Sequence, residues 1–388
     1  MVTIAELHAD EALRREEFPV CEERIFLAHA AVCAMPMRVA QAVADCAMAG
    51  ATDDQEVFLG QLLYGTRDLA AQILGVSVRE IALVGPTSLA LSYVAAGLDF
   101  QAGDNVICYL DDYPSNVYPW LALRDKGVEV RFVKTAELGK IEPDDVLKLV
   151  DDRTRLVALA SCHFISGWRI DVDAIGETLH ERDVLFCLDA IQTVGAFPVS
   201  VKNVDFLAAD AHKWMLGPCS AGILYVRQEI QAQLKPMVFG WHNVECPDFV
   251  AADHIELKHD ARRYEAGTHN IAGTAGLRAA FEILLEVGIE EIGDELLRKR
   301  RLITNEMTDA GWDVVFADSH PRNQGGMVSM TKEGVDLEAL HGSLAEQNIT
   351  ASLRTDRAGQ HYLRLSPHFY NTTEELDRCI EVLAAYGG

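Results

Sequence analysis

The stretch "DAHKWMLGPCSAG", Asp210 to Gly222, sets a lysine in apolar company. Lys213 is followed by Trp214, Met215 and Leu216, then by Gly217 and Pro218. In front lies "VDFLAA" (204–209) and behind lies "AGILYV" (221–226), two short apolar runs that read as buried strands. The loop between them has no room for a crossover helix, so the second strand is expected to run antiparallel to the first. A lysine just past a strand's carboxyl end faces the crevice where open α/β sheets bind ligands.

Working outward, further runs of the same kind appear upstream: "NVICYL" (105–110), "VEVRFV" (128–133), "RLVALA" (155–160) and "VLFCLDA" (184–190). Between them lie segments of helical period such as "DVDAIGETLHERD" (171–183). Strands alternating with helices imply an α/β fold with a mostly parallel sheet buried on both faces. After about residue 275 the texture changes to a long helical stretch (275–311), four short strand-like runs and two amphipathic helices (336–346 and 373–385). The expected organisation is an N-terminal segment (1–25) packing near the small domain, a large α/β domain (26–274) and a smaller α+β domain (275–388). The helix around 36–49 is also expected to pack with the small domain.

The chain has 388 residues and a net charge of −25. That acidity argues against nucleic acid or an anionic membrane as partner, since polyphosphate surfaces select clustered Lys and Arg. Nine cysteines occur without a C-x-x-C pair, which argues against structural zinc and for reduced thiols in the cytoplasm. The first twenty residues lack the pattern of a secretory signal, and no apolar run is long enough to span a bilayer.

The chemistry gathers at strand ends. Asp189 closes "VLFCLDA", and Gln192 follows in "DAIQTVG" (189–195). Taken alone, Lys213 also fits a surface lysine whose stem lies along apolar neighbours. An amine at the end of a buried strand has another use: desolvation lowers its pKa, and the neutral form adds to aldehydes as a Schiff base. Pyridoxal phosphate is an aldehyde cofactor of this kind, with an acidic partner for its ring nitrogen.

These residues, with "LDAIQTVGAFPVSVKNVDFLAADAHKWMLGP" (188–218) and "RRYEAGTHN" (262–270), carry a resemblance. The chain resembles the class V aminotransferases of the pyridoxal-phosphate fold type I, which include cysteine desulfurases, selenocysteine lyases, isopenicillin N epimerase and kynureninase. The resemblance runs from "FLAHAAVCAMP" (26–36) to "RLSPHFYNTTEELDR" (364–378). It implies that Lys213 holds the cofactor and moves the Cα proton. Asp189 would pair with the ring nitrogen and Gln192 with the phenolic oxygen, while His212 would lie near the phosphate. Thr87 and Ser88, in "GPTSLALSYVAAG" (85–97), would cradle that phosphate at a helix N-terminus, although simple helix capping fits the same residues. Thr268 would serve the phosphate of a second subunit, which implies a homodimer with shared sites. Arg364 would bind the α-carboxylate of an amino-acid substrate, and His29 would stand near it. Arg354, Trp241 and His242 are further pocket candidates.

Three departures from the family pattern bear on the reaction. The ring-stacking position falls at Ser161 or His163 in "ASCHFISGWR" (160–169). Asp210 replaces a serine that contacts phosphate in relatives, so its carboxylate is expected to turn elsewhere, or to act through a water or His212. The segment before Arg364, "SLRTDRAGQHYLRLS" (352–366), has no cysteine to accept sulfur, and Cys379 reads as a core residue of the last helix. On that basis the sequence favours transamination or epimerisation, with a C–S lyase as alternative, and disfavours persulfide-forming desulfuration.

Overall fold

The computed structural model describes residues 3–386. Seven strands form the large sheet: β1 (Ile81–Val84), β2 (Asn105–Tyr109), β3 (Glu129–Val133), β4 (Thr154–Ala160), β5 (Leu185–Asp189), β6 (Phe206–Asp210) and β7 (Gly222–Val226). Their order is β1-β7-β6-β5-β4-β2-β3. All neighbours pair in parallel except β7, which is antiparallel to both β1 and β6. The short loop around Lys213 therefore makes the tight return that its length predicts.

Every residue of β2, β6 and β7 is buried, which explains why these strands read as unbroken apolar runs. Successive side chains of β6 serve two cores. Phe206 and Ala208 join one cluster with Trp120 and Leu224, while Leu207 and Ala209 join the other with Trp214 and Phe281. The sheet's carboxyl edge is thus fixed from both faces.

The predicted long helix at 275–311 is two helices, Ile271–Val287 and Ile289–Asp309, broken at Gly288, whose φ of 95° a helix cannot hold. Residue 274 lies inside the first of these, which packs on the helices Met37–Thr52 and Glu56–Leu74. Beyond it, β8 (Asp313–Val314), β9 (Val328–Thr331), β10 (Ser352–Thr355) and β11 (His361–Leu365) form an antiparallel sheet in the order β10-β11-β9-β8.

The N-terminal residues pack on this C-terminal region. Ile25 and Phe26 pair in parallel with Ile349 and Thr350, Phe18 stacks on Tyr370, and Arg14 bonds Glu375 at 2.8 Å. The chain then crosses to the large sheet, where the Cys33 N–H donates to the His212 carbonyl at 2.7 Å.

The lysine loop is held tightly. The N–H of Gly217 donates to the Ala211 carbonyl at 2.9 Å, and that of Leu216 to Lys213 at 3.1 Å. Leu216 takes a left-handed φ of 60°, a strained conformation that its complete burial enforces. Beneath the loop, Gly195 has φ +88°, and a Cβ there would lie 2.6 Å from the Trp214 carbonyl oxygen. Gly195→Ala combines the left-handed penalty with that overlap, so it should destabilise the protein by about 2 kcal/mol or more. Thermal melting checks this: an unchanged midpoint shows that the loop can move aside.

Candidate active site

A cavity of about 290 Å³ opens at the carboxyl edge of the large sheet, between that edge and the β10–β11 hairpin. Lys213, Asp189, Gln192, Thr87, Ser88, His212, Asp210, Arg354 and Arg364 all line it. Residues separated by up to 277 positions in sequence (Thr87 to Arg364) thus meet because strand ends and one hairpin converge on a single point.

Lys213 sits at the bottom, 6% exposed. Burial pulls its amine down to about 8, against the opposing pull of the Asp189 carboxylate. Its Nζ lies 5.2 Å from the centre of the Tyr113 ring. Asp189 ends β5 and is pushed up to about 6 by burial, with the Ile191 N–H and Lys213 drawing it back. A second buried carboxylate, Asp112, lies beside it and is raised to about 7 by burial and by Asp189. Asp112 accepts hydrogen bonds from the Tyr113 N–H (2.7 Å), the Asn116 amide (2.9 Å) and the Ala160 N–H (3.2 Å), which anchors the loop after β2. Gln192 is oriented from both sides: its Oε1 accepts from the Trp214 indole at 2.8 Å, and its Nε2 donates to the Ala30 carbonyl at 3.1 Å.

At the other end, the helix Thr87–Gly97 starts at the cavity without a side-chain cap. Its first N–H groups and its dipole make a place for an anion. Asp210 turns away from that place. Its carboxylate accepts from the N–H groups of Ala211, Ser220 and Ala221 and from His212 Nδ1 at 2.9 Å. The Asp210 N–H in turn donates to Thr87 Oγ1 at 3.0 Å. Asp210 is thus a fastener for the lysine loop and for His212.

Arg364 is buried at 1% exposure on β11. Its Nη1 donates to the Phe164 carbonyl, while its Nε and Nη2 have no partner among the described residues. Two idle donors on a buried guanidinium are costly unless a ligand takes them. The cavity therefore combines an amine of lowered pKa, a buried carboxylate, an anion-binding helix end and an arginine ready for a carboxylate. That set fits pyridoxal phosphate with an amino-acid substrate.

Several expected residues lie elsewhere. Neither Ser161 nor His163 lines the cavity; Tyr113 and Phe164 do. Ser161 Oγ pairs with Thr193 Oγ1 at 2.7 Å and with the Asp189 carbonyl at 3.1 Å. His163 is buried with both ring nitrogens tied, to Ser166 Oγ and to the Asp111 carbonyl, each at 3.0 Å. The ring that the structure sets beside Lys213 in the cavity is that of Tyr113. It was findable, since "YLDDYPSN" (109–116) follows a strand at the same sheet edge as Asp189. His29 is also outside: it is fully buried, bonded to the Ser366 carbonyl and the Tyr370 hydroxyl, and burial holds its pKa down to about 3. Its neighbours Ala30, Ala31 and Val32 form the wall instead. Thr268 lines a separate cavity of about 240 Å³. Trp241 and His242 lie outside the lysine cavity as well, and Cys379 is buried in the C-terminal core.

The family model described as aminotransferase class-V matches residues 25–379. A probable cysteine desulfurase of Methanothermobacter thermautotrophicus is 30% identical over 96% of this chain and 97% of its own. The structure of an apo cysteine desulfurase from Thermococcus onnurineus has a TM-score of 0.87 at 24% identity, covering 95% of this chain and 96% of that one. A cystine C–S lyase in complex with cysteine persulfide superposes with a TM-score of 0.86 at 21% identity, over 96% of this chain and 100% of its own. These likenesses overturn the expectation, drawn from a cysteine-free hairpin, that persulfide-forming desulfuration is disfavoured. The preference for transamination or epimerisation falls with it.

The lowered pKa of Lys213 has a direct test. The neutral amine forms above about pH 8 rather than near 10.4, the usual lysine value. Capture of pyridoxal phosphate by the apoprotein should therefore accelerate as pH rises through about 8 and level off above it. Lys213→Ala should capture none covalently. A rate of capture flat between pH 7 and 9 would show that the amine is not held as described.

Proposed function

The chain belongs to the class V aminotransferase family and works with pyridoxal phosphate on an amino acid; from that premise we propose that it removes sulfur from cysteine, releasing alanine. The observation that carries this reading is the pairing of the buried lysine with an unsatisfied arginine across one small cavity, in a chain whose relatives include cysteine desulfurases.

Bound at Lys213, the cofactor supplies an electron sink for charge released at the substrate Cα. Arg364 offers Nε and Nη2 to the α-carboxylate, and its burial makes that charge-assisted pair strong. With the carboxylate fixed, Lys213 takes the Cα proton, because desolvation leaves part of its amine neutral near pH 8. Asp189 would hold negative charge beside the ring nitrogen, and the Ile191 N–H at 3.1 Å supports that ionised form. Gln192, held by Trp214 and Ala30, has a remaining amide hydrogen for the phenolic oxygen. The N-terminus of helix Thr87–Gly97 would receive the phosphate, with His212, held in place by Asp210, beside it. Tyr113 and Phe164, ring against ring, wall the cavity toward the hairpin. With an external thiol the reaction balances as cysteine plus RSH giving alanine plus the persulfide RSSH.

The holoenzyme incubated with cysteine and dithiothreitol should give alanine and sulfide in equal amounts. Pyruvate and ammonia in place of alanine would mean elimination and would sink the reading. Pyridoxamine formation with a keto acid would mean transamination, with the same result.

We further propose a homodimer in which residues 262–270 of one copy reach the phosphate end of the other copy's cavity. The loop is rigid enough for this: the Glu265 carboxylate accepts from Arg67, from the Leu83 N–H at 2.7 Å and from His269 Nε2 at 2.7 Å. A run of exposed apolar side chains nearby, with Phe239 at 57%, Phe249 at 71% and Val250 at 69%, supports an interface. Sedimentation should give twice the chain mass, and Thr268→Ala should weaken retention of pyridoxal phosphate roughly tenfold, the order expected for loss of one charge-assisted hydrogen bond. A monomer with full activity would refute the shared site.

A further inference from the structure

Arg364 is followed by a short segment, 366–370, that does not line the lysine cavity yet touches both groups that hold Gln192. On one side, Ser366 Oγ accepts from the Ala30 N–H at 3.0 Å, and the Ala30 carbonyl accepts from Gln192 Nε2 at 3.1 Å. On the other, His368 Nε2 meets the Trp214 carbonyl at 3.0 Å, and the Trp214 indole donates to Gln192 Oε1 at 2.8 Å. Ser366, Ala30, His368, Trp214 and Gln192 are all 2% exposed or less, so bulk water offers these groups no substitute partners.

The direction of each bond follows from the donors. The Phe369 N–H, which can only donate, lies 2.9 Å from His368 Nδ1. Nδ1 is therefore the bare nitrogen, and Nε2 carries the proton given to the Trp214 carbonyl. Burial keeps this ring neutral, with the His29 ring 5.2 Å away and the Lys299 ammonium bonded to the His368 carbonyl at 2.9 Å. The indole N–H also only donates, so Gln192 must turn its amide oxygen to Trp214 and its amide nitrogen to Ala30. One amide hydrogen then remains free. His368 is the one donor to the Trp214 carbonyl among the described residues, and without it a fully buried oxygen is left unpaired. The backbone of Trp214 cannot move to find another donor without carrying its indole away from Gln192.

We propose that His368 is a positioning residue for the cofactor: by holding the Trp214 carbonyl it keeps the indole on Gln192, and so keeps the free amide hydrogen of Gln192 on the phenolic oxygen of pyridoxal phosphate. His368 itself lies outside the cavity. The inference rests on the assignment of Gln192 to that oxygen. A donor there favours the anionic oxygen over the protonated one. It therefore lowers the pH at which the bound cofactor gives up the proton shared between its phenolic oxygen and the Lys213 nitrogen, and loss of the relay raises that pH.

The test titrates the holoenzyme with acid and base, without substrate, and reads the midpoint from the cofactor absorbance. His368→Gln sets an amide N–H where the imidazole Nε2–H lies, whereas the shorter side chain of His368→Asn cannot reach the Trp214 carbonyl. The midpoint should rise by about half a pH unit or more in His368→Asn, the size of one hydrogen bond, and stay within about 0.2 of wild type in His368→Gln. Trp214→Phe should give the same rise, and adding His368→Asn to it should give no more, because both changes cut one chain. Equal rises in the Gln and Asn variants, or a further rise in the double variant, would make His368 merely structural and overturn the proposal. So would a wild-type midpoint in His368→Asn. Gln192→Ala separates the premise from the inference. If its midpoint does not move, the assignment of Gln192 falls and this inference with it; if it moves while that of His368→Asn does not, only this inference falls. Should His368→Asn not fold, ring-nitrogen NMR of the wild-type holoenzyme decides, with His368 assigned by difference from His368→Gln. The proton should sit on Nε2, and a proton on Nδ1 refutes the relay.

Discussion

An ammonium group buried at the end of a strand is the constraint on which the rest of the molecule depends. Water would hold that charge more cheaply, so the protein must fix the lysine in place. It does so with an apolar turn. Leu216 is forced into a left-handed conformation, and Gly195 clears room for the Trp214 backbone. Asp210 gathers three amide N–H groups and His212 to close the loop. Each of these devices is a local expense that makes sense only if Lys213 must present a partly neutral amine to the cavity.

The second part of the site arrives by a different route. The large sheet supplies Lys213, Asp189 and Gln192 from adjacent strand ends, but the arginines come on the β10–β11 hairpin of the C-terminal sheet. Their placement relies on leucines packed behind them and on Phe164 in front. A binding group on a separate sheet can be altered without disturbing the lysine. A fold that separates cofactor chemistry from substrate reading suits many substrates.

Much of this was legible in the sequence. The strands at 105–110, 184–190, 204–209 and 221–226 are continuous apolar runs because two cores press on the sheet, and such runs are easy to see. The motif residues Lys213, Asp189 and Gln192 meet in one cavity because strand-end rules place them there. What was not legible was the choice among neighbours in a loop. His163 offered the better stacking surface by residue type, yet the loop directs both its nitrogens into the protein, and Tyr113 from another loop takes the cavity. Spacing fixes which edge a residue reaches, but not which way it turns. The cysteine-free hairpin misled for a similar reason: it describes one segment, whereas the acceptor of a sulfur atom need not belong to that segment.

The strand of chain from Ile25 to Cys33 ties the two sheets together, and this has a consequence for the order of events in the cell. Ile25 and Phe26 pair with Ile349 and Thr350, His29 is locked between Ser366 and Tyr370, and Ala30 holds Gln192. The earliest wall residues to leave the ribosome can thus take their final positions only when nearly the whole chain has been made. During synthesis the large sheet can assemble around an unfinished pocket, with its buried lysine still open to water on one side. The site is completed last, by contacts of very long sequence separation that cost the most to close. Nascent chains of this protein therefore depend on the late C-terminal sheet to become capable of chemistry, and a truncated product, however well folded its core, carries the cofactor lysine without the means to use it.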